Sequence, residues 1–442
     1  MNPRQLALEV LDKLEKSGQY SNIAVDNACR GQELDGKDSR LVSSLVYGVI
    51  ERRITLDYII DKLSSLPPSK IERTTRNILR MGLYQLMHLD RIPPHAAINE
   101  SVNLAAKRSR GFVNALLRGF LRKCETCGPD EAFDFPSREE QPLDYLSITY
   151  SYPLPLCQKL CDIFGFRDTE RIFEAWQTPP LMTLRQNPLK ISREELVARL
   201  EGMEIGATLT QNAPHGIRVT GGAPSEMGIA EGLCFVQDEA SQICVEALGA
   251  RPGETIIDMC ACPGSKSFGA ALNMKNEGKI FSFDLHENKL SLVRKGAEAL
   301  GISIIETGAR DGRVFDPALE SIADRIICDV PCSGFGVMAK KPEIRYKSLA
   351  DAAALPEIQY SILQTAAHYV KRGGVIVYST CTIFPEENQN NVGRFLAEHP
   401  DFEACEFCVG QISSQSGMLT LNPADHGTDG FFIAKLRRKE EH

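Results

Sequence analysis

The sequence predicts three domains in series: an all-α bundle, a small α+β module, and an α/β domain on a mostly parallel sheet. Three observations predict this. At 442 residues the chain exceeds one core, since a domain usually takes ~150 residues. Apolar residues recur at helical spacing over residues 1–127. From about residue 236, short β-branched runs alternate with helical sequence, the pattern of a parallel sheet covered on both faces.

In the first domain, residues 1–127, Leu6, Ala7, Val10, Leu11 and Leu14 form one helical stripe, and Leu41, Leu45, Val46 and Val49 form another. IERTTRNILRMGLYQLMHL carries a third, and the paired prolines of RIPPHAAIN interrupt it. GFVNALLRGFLRK makes a short helix bearing Arg118, Arg122 and Lys123. Residues 124–145 are polar and rich in Pro, Asp and Glu, and read as a linker. Over residues 146–235, the helical LCQKLCDIFGF precedes a strand in LMTLRQNP, a helix in SREELVARLEGM and a hairpin-like GATLTQNAPHGIRVTGG. Over residues 236–438, TIIDM, KIFSFD, SIIET, RIICDV and VIVYST read as buried strands, and MLTL and FFIAKLRR as two final, antiparallel ones.

The bulk numbers exclude several classes. With 43% hydrophobic and 24% charged residues, the composition is that of an ordinary globular protein. No run approaches the ~20 apolar residues of a membrane span, and the start is no signal peptide. The expectation is a soluble, cytoplasmic protein with no membrane partner. Fourteen cysteines in so long a chain do not indicate a secreted disulfide scaffold. Cys124-x-x-Cys127 and Cys405-x-x-Cys408 could in principle hold zinc, but no His lies at ligand spacing beside them, and no metal is expected. Residues 1–128 carry 20 Lys and Arg against 14 Asp and Glu. Their +6 lies beside −14 for the remainder of a chain of net charge −8, which suits an arm that holds a polyanion.

Two cysteine strings carry the chemistry. Asp329-Val330-Pro331-Cys332-Ser333-Gly334 follows RIIC, and Ser379-Thr380-Cys381-Thr382 follows VIVY. Cysteines at the carboxyl ends of two strands of one sheet face the crevice where such sheets bind ligands. A little thiolate is already a strong nucleophile. A further strand runs from Glu254 into the turn Cys260-Ala261-Cys262-Pro263-Gly264-Ser265-Lys266. Gly264 allows a ligand close to the backbone, and a helix starting there offers free amides. Asp284 ends the next strand and Asp311 follows the third. With the Gly turn, acids after successive strands point to an adenosine-type ligand. Lys266 is expected to face ligand or RNA, and Lys340, Lys341 and Arg345, with Tyr346 among them, to meet substrate phosphates.

CACPGSK, PCSGFGVMAKKPEIRY and STCTIFPEEN together resemble the S-adenosylmethionine-dependent RNA cytosine-5 methyltransferases. LVYGVIERRITLDYII, LRMGLYQLMHLDRIPPHAAINESV and GFVNALLR resemble the NusB-like domain found in a small-subunit ribosomal RNA branch of that family, and FVQDEASQ and DGFFIAKLRR fit too. The resemblance covers essentially the whole chain. It implies a NusB-like RNA-binding bundle and a Rossmann-like methyltransferase domain. It also implies S-adenosylmethionine as cofactor, held by residues 260–266, Asp284, Asp311 and Asp329. By the same resemblance Cys381 is the nucleophile, Cys332 helps release product, and Asp329 lies between cofactor and cytosine. The substrate implied is a cytidine of 16S ribosomal RNA, single-stranded or flipped. Ser265, Ser267 and Cys262 depart from the family's usual residues, with only modest repacking expected. The same chemistry on transfer RNA or another RNA, and a non-catalytic RNA-binding assembly factor, stay open here.

Overall fold

The computed structural model describes residues 2–17, 21–32 and 34–440. The chain divides into two compact units, Met1–Gln177 with Met338–Leu349, and Thr178–Val337 with Ala350–His442.

The first unit is helical. Pro3–Ser17, Ser21–Arg30, Gly36–Glu51, Arg53–Leu63, Arg73–His88, Pro94–Leu104 and Arg110–Lys123 bury their apolar stripes in one cluster. Proline at the first helical position costs no intrahelical bond. That is why the helix from Pro94 can begin where the prolines end the one before. Residues 124–145, expected as a linker, are folded here: Pro129–Ala132 and Pro142–Tyr150 are helices, and Phe133 is buried with its ring stacked 5.8 Å from that of Phe120. Phe133, packed on Phe120 of the helix Arg110–Lys123, seats this stretch on the bundle. Leu154–Phe164 and Phe166–Gln177 complete the helical set.

Part of this unit's positive charge is structural. Arg80 is buried, with Nε 2.8 Å and Nη2 2.7 Å from the two Asp57 carboxylate oxygens and Nη1 2.6 Å from Glu15. Arg76 Nε donates to the same Asp57 at 2.8 Å. Three helices are thereby tied through one ion cluster. Arg345, in the segment Met338–Leu349, is also buried. Its Nη1 donates to the carbonyls of Glu51 at 2.8 Å and Ser151 at 3.3 Å, with the guanidinium 4.3 Å from the Tyr152 ring centroid. Tyr346 donates its hydroxyl to the Ile50 carbonyl at 2.7 Å. The expectation that Arg345 meets substrate phosphates is therefore corrected: its guanidinium is buried against backbone carbonyls and an aromatic face.

The second unit opens with an antiparallel sheet. β1 (Met182–Gln186), β2 (Gly206–Leu209), β3 (Gly216–Thr220) and β4 (Cys234–Val236) lie in the order β2-β3-β1-β4. The helix Arg193–Glu201, started by a Ser192/Glu195 capping box, packs Leu196 and Leu200 with Leu184, Ile217 and Val219. The larger sheet follows, of β5 (Thr255–Asp258), β6 (Lys279–Asp284), β7 (Ile305–Ala309), β8 (Ala323–Asp329) and β9 (Val370–Thr380), with β10 (Phe402–Ala404), β13 (Met418–Leu421) and β14 (Phe431–Arg438). Two further short strands, β11 (Phe407–Val409) and β12 (Ile412–Ser414), pair with each other.

The main order is β10-β14-β9-β8-β5-β6-β7, with β13 on β14. The strands from β5 to β9 are parallel, and β10, β13 and β14 add antiparallel pairings. Ile256, Ile327 and Val377 belong to one core cluster, and their chain neighbours Ile257, Ile326 and Ile376 to another. Because strand side chains alternate faces, the two clusters are the two sides of the sheet. This explains the unbroken apolar runs. Chain order reverses between β5 and β8, so the switch point lies at their carboxyl ends.

Arg80→Ala should leave Glu15 without its short partner and Asp57 with Arg76 alone, and lower stability by about 3 kcal/mol, read from the urea midpoint of unfolding.

Candidate functional site

The candidate site is built from residues that follow four neighbouring parallel strands. β8 and β9 pair so that Asp329 lies opposite Ser379, and the Ser379 hydroxyl donates to Asp329 Oδ1 at 2.8 Å. Cys332 comes three residues after Asp329 and Cys381 two after Ser379. Their Sγ atoms lie 3.0 Å apart, and the Cys381 amide donates to Cys332 Sγ at 3.2 Å. Both cysteines are half-buried, neither sealed in the core nor fully exposed. The hydrogen bond to Cys381, followed by burial, holds the Cys332 thiol well above its ordinary range. Cys332 therefore keeps its proton and can donate it towards the Cys381 sulfur.

A glycine lets the two loops meet. Gly336 donates its amide to the Cys381 carbonyl at 2.9 Å, and a Cβ there would fall 1.9 Å from the Gly430 carbonyl oxygen. No larger residue fits at Gly336.

Residues Cys260, Ala261, Cys262, Pro263 and Gly264 turn from β5 into the helix Ser265–Asn273. Gly264 has φ +114°, and a Cβ on it would lie 2.4 Å from the Phe268 ring. Glycine is needed on both counts. Burial raises the Cys260 thiol and raises that of Cys262 to about 12, so both present neutral sulfur. Asp284, half-buried at the end of β6, accepts from the amides of Cys262 at 3.3 Å and His286 at 3.0 Å. Its remaining lone pairs can accept from a diol. Next to it Leu285 is 58% exposed, an apolar surface suited to a flat ring. This donor set fits a nucleoside.

Two expected residues stand differently. The Asp311 carboxylate is engaged by its neighbour Arg313, with Nε–Oδ1 2.9 Å and Nη2–Oδ2 2.6 Å, which holds it down at about 2. A ligand there must share Asp311 with that guanidinium. Lys266, expected to face ligand or RNA, turns its charge to Asp329. It is only 7% exposed, its Nζ lies 2.7 Å from Asp329 Oδ2, and the Phe431 ring centroid is 5.2 Å away. Burial opposes its charge, but Asp329 more than compensates and raises its pKa. Lys266 thus orients Asp329, whose two oxygens are held by one cation and one hydroxyl.

Several contributors were not expected from the sequence. Buried Asp258 accepts from the Ser267 hydroxyl at 2.6 Å. Glu387, Asn388 and Gln359 bond to the residues flanking the two cysteines. Glu387 and Asn388 stand in the quoted string STCTIFPEEN, yet letters alone do not reveal what a buried carboxylate or amide will touch. Cys124 and Cys127 lie in the first unit and Cys405 and Cys408 in the second. No group of three or more metal-ligating side chains gathers among the described residues, and none of the described helices is long and apolar enough to cross a membrane.

The family model described as 16S rRNA methyltransferase RsmB/F matches residues 245–437, the NusB family model residues 1–122, and an RsmF/B-like ferredoxin-like domain model residues 152–226. A Bacillus subtilis protein, named probable ribosomal RNA small subunit methyltransferase B, is 36% identical over 99% of this chain and 98% of its own. A Klebsiella pneumoniae protein, named ribosomal RNA small subunit methyltransferase B, is 33% identical over 99% of each chain. Among solved structures, PH0851 has a TM-score of 0.79 and 25% identity over 99% of each chain.

Burial pushes the Asp258 carboxyl up to about 7, and the nearby Asp329 charge adds to this despite the Ser267 bond. An unfolded Asp titrates near ~4, so folding favours the protonated form. That stability is full below about pH 4 and is lost as pH rises through about 7. Asp258→Asn keeps an oxygen for Ser267 and removes the loss. Its unfolding free energy should exceed the parent's at pH 8 by on the order of 3 kcal/mol and converge with it towards pH 4.

Proposed function

Because the chain belongs to the RsmB/F family of small-subunit ribosomal RNA methyltransferases, we propose that it methylates carbon 5 of a cytidine in 16S ribosomal RNA through a transient bond to Cys381. The observation that carries this reading is the pair of half-buried thiols 3.0 Å apart beside Asp329.

Carbon 5 of cytosine is a poor nucleophile while the ring stays aromatic. Addition of Cys381 Sγ to carbon 6 breaks the conjugation and makes carbon 5 enamine-like, dividing one hard step into two easier ones. S-adenosylmethionine, when bound, supplies an electrophilic methyl group. The residues that would hold it are the 260–266 turn at its methionine and ribose part, Asp284 at the ribose diol and Asp311 on the adenine side. Asp329, oriented by Lys266 and Ser379, has lone pairs left to accept from the exocyclic amine of the cytosine.

Cys332 acts in both halves. As a thiol it donates to the Cys381 sulfur and favours thiolate there. In the second half it holds a water against carbon 5, and that water carries the carbon 5 proton to solvent while the carbon–hydrogen electron pair forms the new double bond. Cys381 then leaves carbon 6 and the ring regains its conjugation. The base must be unstacked to reach these atoms, so a single-stranded or flipped cytidine is the substrate. The relatives' names favour small-subunit ribosomal RNA over transfer RNA, and a ribosomal substrate would place the work in the cytoplasm.

Incubation with methyl-tritiated S-adenosylmethionine and 16S ribosomal RNA from cells lacking the protein should label 5-methylcytidine. Cys381→Ala should abolish the label. Cys332→Ala should accumulate a protein–RNA adduct that survives a denaturing gel. Full activity in Cys381→Ala would overturn the assignment.

A further inference from the structure

Glu387 and Asn388 are consecutive residues just before the helix Gln389–Glu398; Asn388 grips the residues on both sides of Cys381, and Glu387 grips Ser333 directly and Pro331 through Gln359. Glu387 Oε2 accepts from the Ser333 amide at 2.9 Å and from Gln359 Nε2 at 2.8 Å, and Oε1 accepts from the Ser333 hydroxyl. The same Gln359 amide group donates to the Pro331 carbonyl at 2.9 Å. Pro331 and Ser333 flank Cys332. Asn388 Oδ1 accepts from the Thr380 hydroxyl at 2.6 Å, and Nδ2 donates to the Thr382 carbonyl at 2.9 Å. Thr380 and Thr382 flank Cys381. The peptide between the two grips is itself fixed, since the Tyr378 hydroxyl donates to the Glu387 carbonyl at 2.6 Å.

Glu387 is 2% exposed and Asn388 0%. Buried polar groups with this many partners have no solvent to fall back on, so their geometry is stiff. Consecutive Cα atoms are only about 3.8 Å apart, so two loops gripped by neighbouring residues cannot drift apart freely. Cross-linking is completed by the Ser333 and Thr382 hydroxyls, 3.0 Å from each other.

We propose that Glu387 and Asn388 are positioning residues that together set the spacing of the Cys332 and Cys381 thiols. This rests on the reading of those thiols as the reacting pair. A purely stabilising network would lower the melting temperature when cut but leave the thiol spacing unchanged in whatever protein still folds. A positioning pair changes the spacing itself.

The test uses full-length protein and phenylarsine oxide, which loses its oxygen as water when one arsenic joins two adjacent thiols. Cys332→Ser provides the blank for the other cysteines. Wild type should capture the arsenical tightly. Glu387→Ala and Asn388→Ala should each weaken capture at least tenfold and lower kcat at least tenfold, with KM for S-adenosylmethionine unchanged. Glu387→Gln, which keeps the volume and one acceptor, should fall between and carries the same reading if the alanine variant does not fold. Folding is judged by circular dichroism and cooperative melting. Wild-type capture in a folded variant overturns the proposal, as do weakened capture with unchanged kcat and failure of wild type itself to bind. If wild type captures the arsenical but forms no 5-methylcytidine, the proposed function fails while the spacing claim is still decided by the variants.

Discussion

The register between β8 and β9 is the constraint on which the site depends. With Asp329 opposite Ser379, two strings that are 49 residues apart in the chain emerge from adjacent strands at one level of the sheet. Parallel neighbours are about 4.8 Å apart, close enough for loops of two or three residues to bring their side chains into contact. A slip of one residue would turn Asp329 and Ser379 to opposite faces and part the sulfurs. The apolar residues of both strands pin this register from two sides, so the site's geometry is inherited from the core.

Polar groups then refine what the sheet sets roughly. Lys266 and Ser379 fix the Asp329 carboxylate, Asp284 braces the turn at Cys262, and Glu387 and Asn388 lock the loops that carry the thiols. A buried ion pair is weak evidence for stability, and here the pair fixes the position of a site carboxylate. The raised Asp258 carboxyl is mainly the cost of burying an acid at the end of β5. In the first unit the same chemistry serves structure instead, as the Arg80 and Arg345 clusters show.

Elements whose signal is local were legible in the sequence. The β-branched runs became β5 to β9, the last two strands proved antiparallel, and the cysteine strings met where strand ends meet. The three-residue strands β4, β10, β11 and β12 were not legible, because so short a run has no periodicity of its own. The supposed linker at 124–145 was misread because Phe133 buries itself against a partner that composition does not name. Charge was the least legible property. Lys266 finds Asp329 63 residues away and Arg345 finds Glu51 294 residues away, so nothing beside either residue in the chain announces its partner.

The central claim is that the Cys381 sulfur bonds to carbon 6 of a cytosine. An RNA carrying 5-fluorocytidine at the modified position tests it most directly, because fluorine at carbon 5 leaves no proton to remove and the adduct cannot resolve. After incubation of the wild-type protein with this RNA and S-adenosylmethionine, digestion and mass spectrometry should find the methylated fluoropyrimidine on the peptide that contains Cys381. A nucleotide attached to the Cys332 peptide, or methyl transfer to cytidine in unmodified RNA with no adduct on the fluorinated one, would contradict the account.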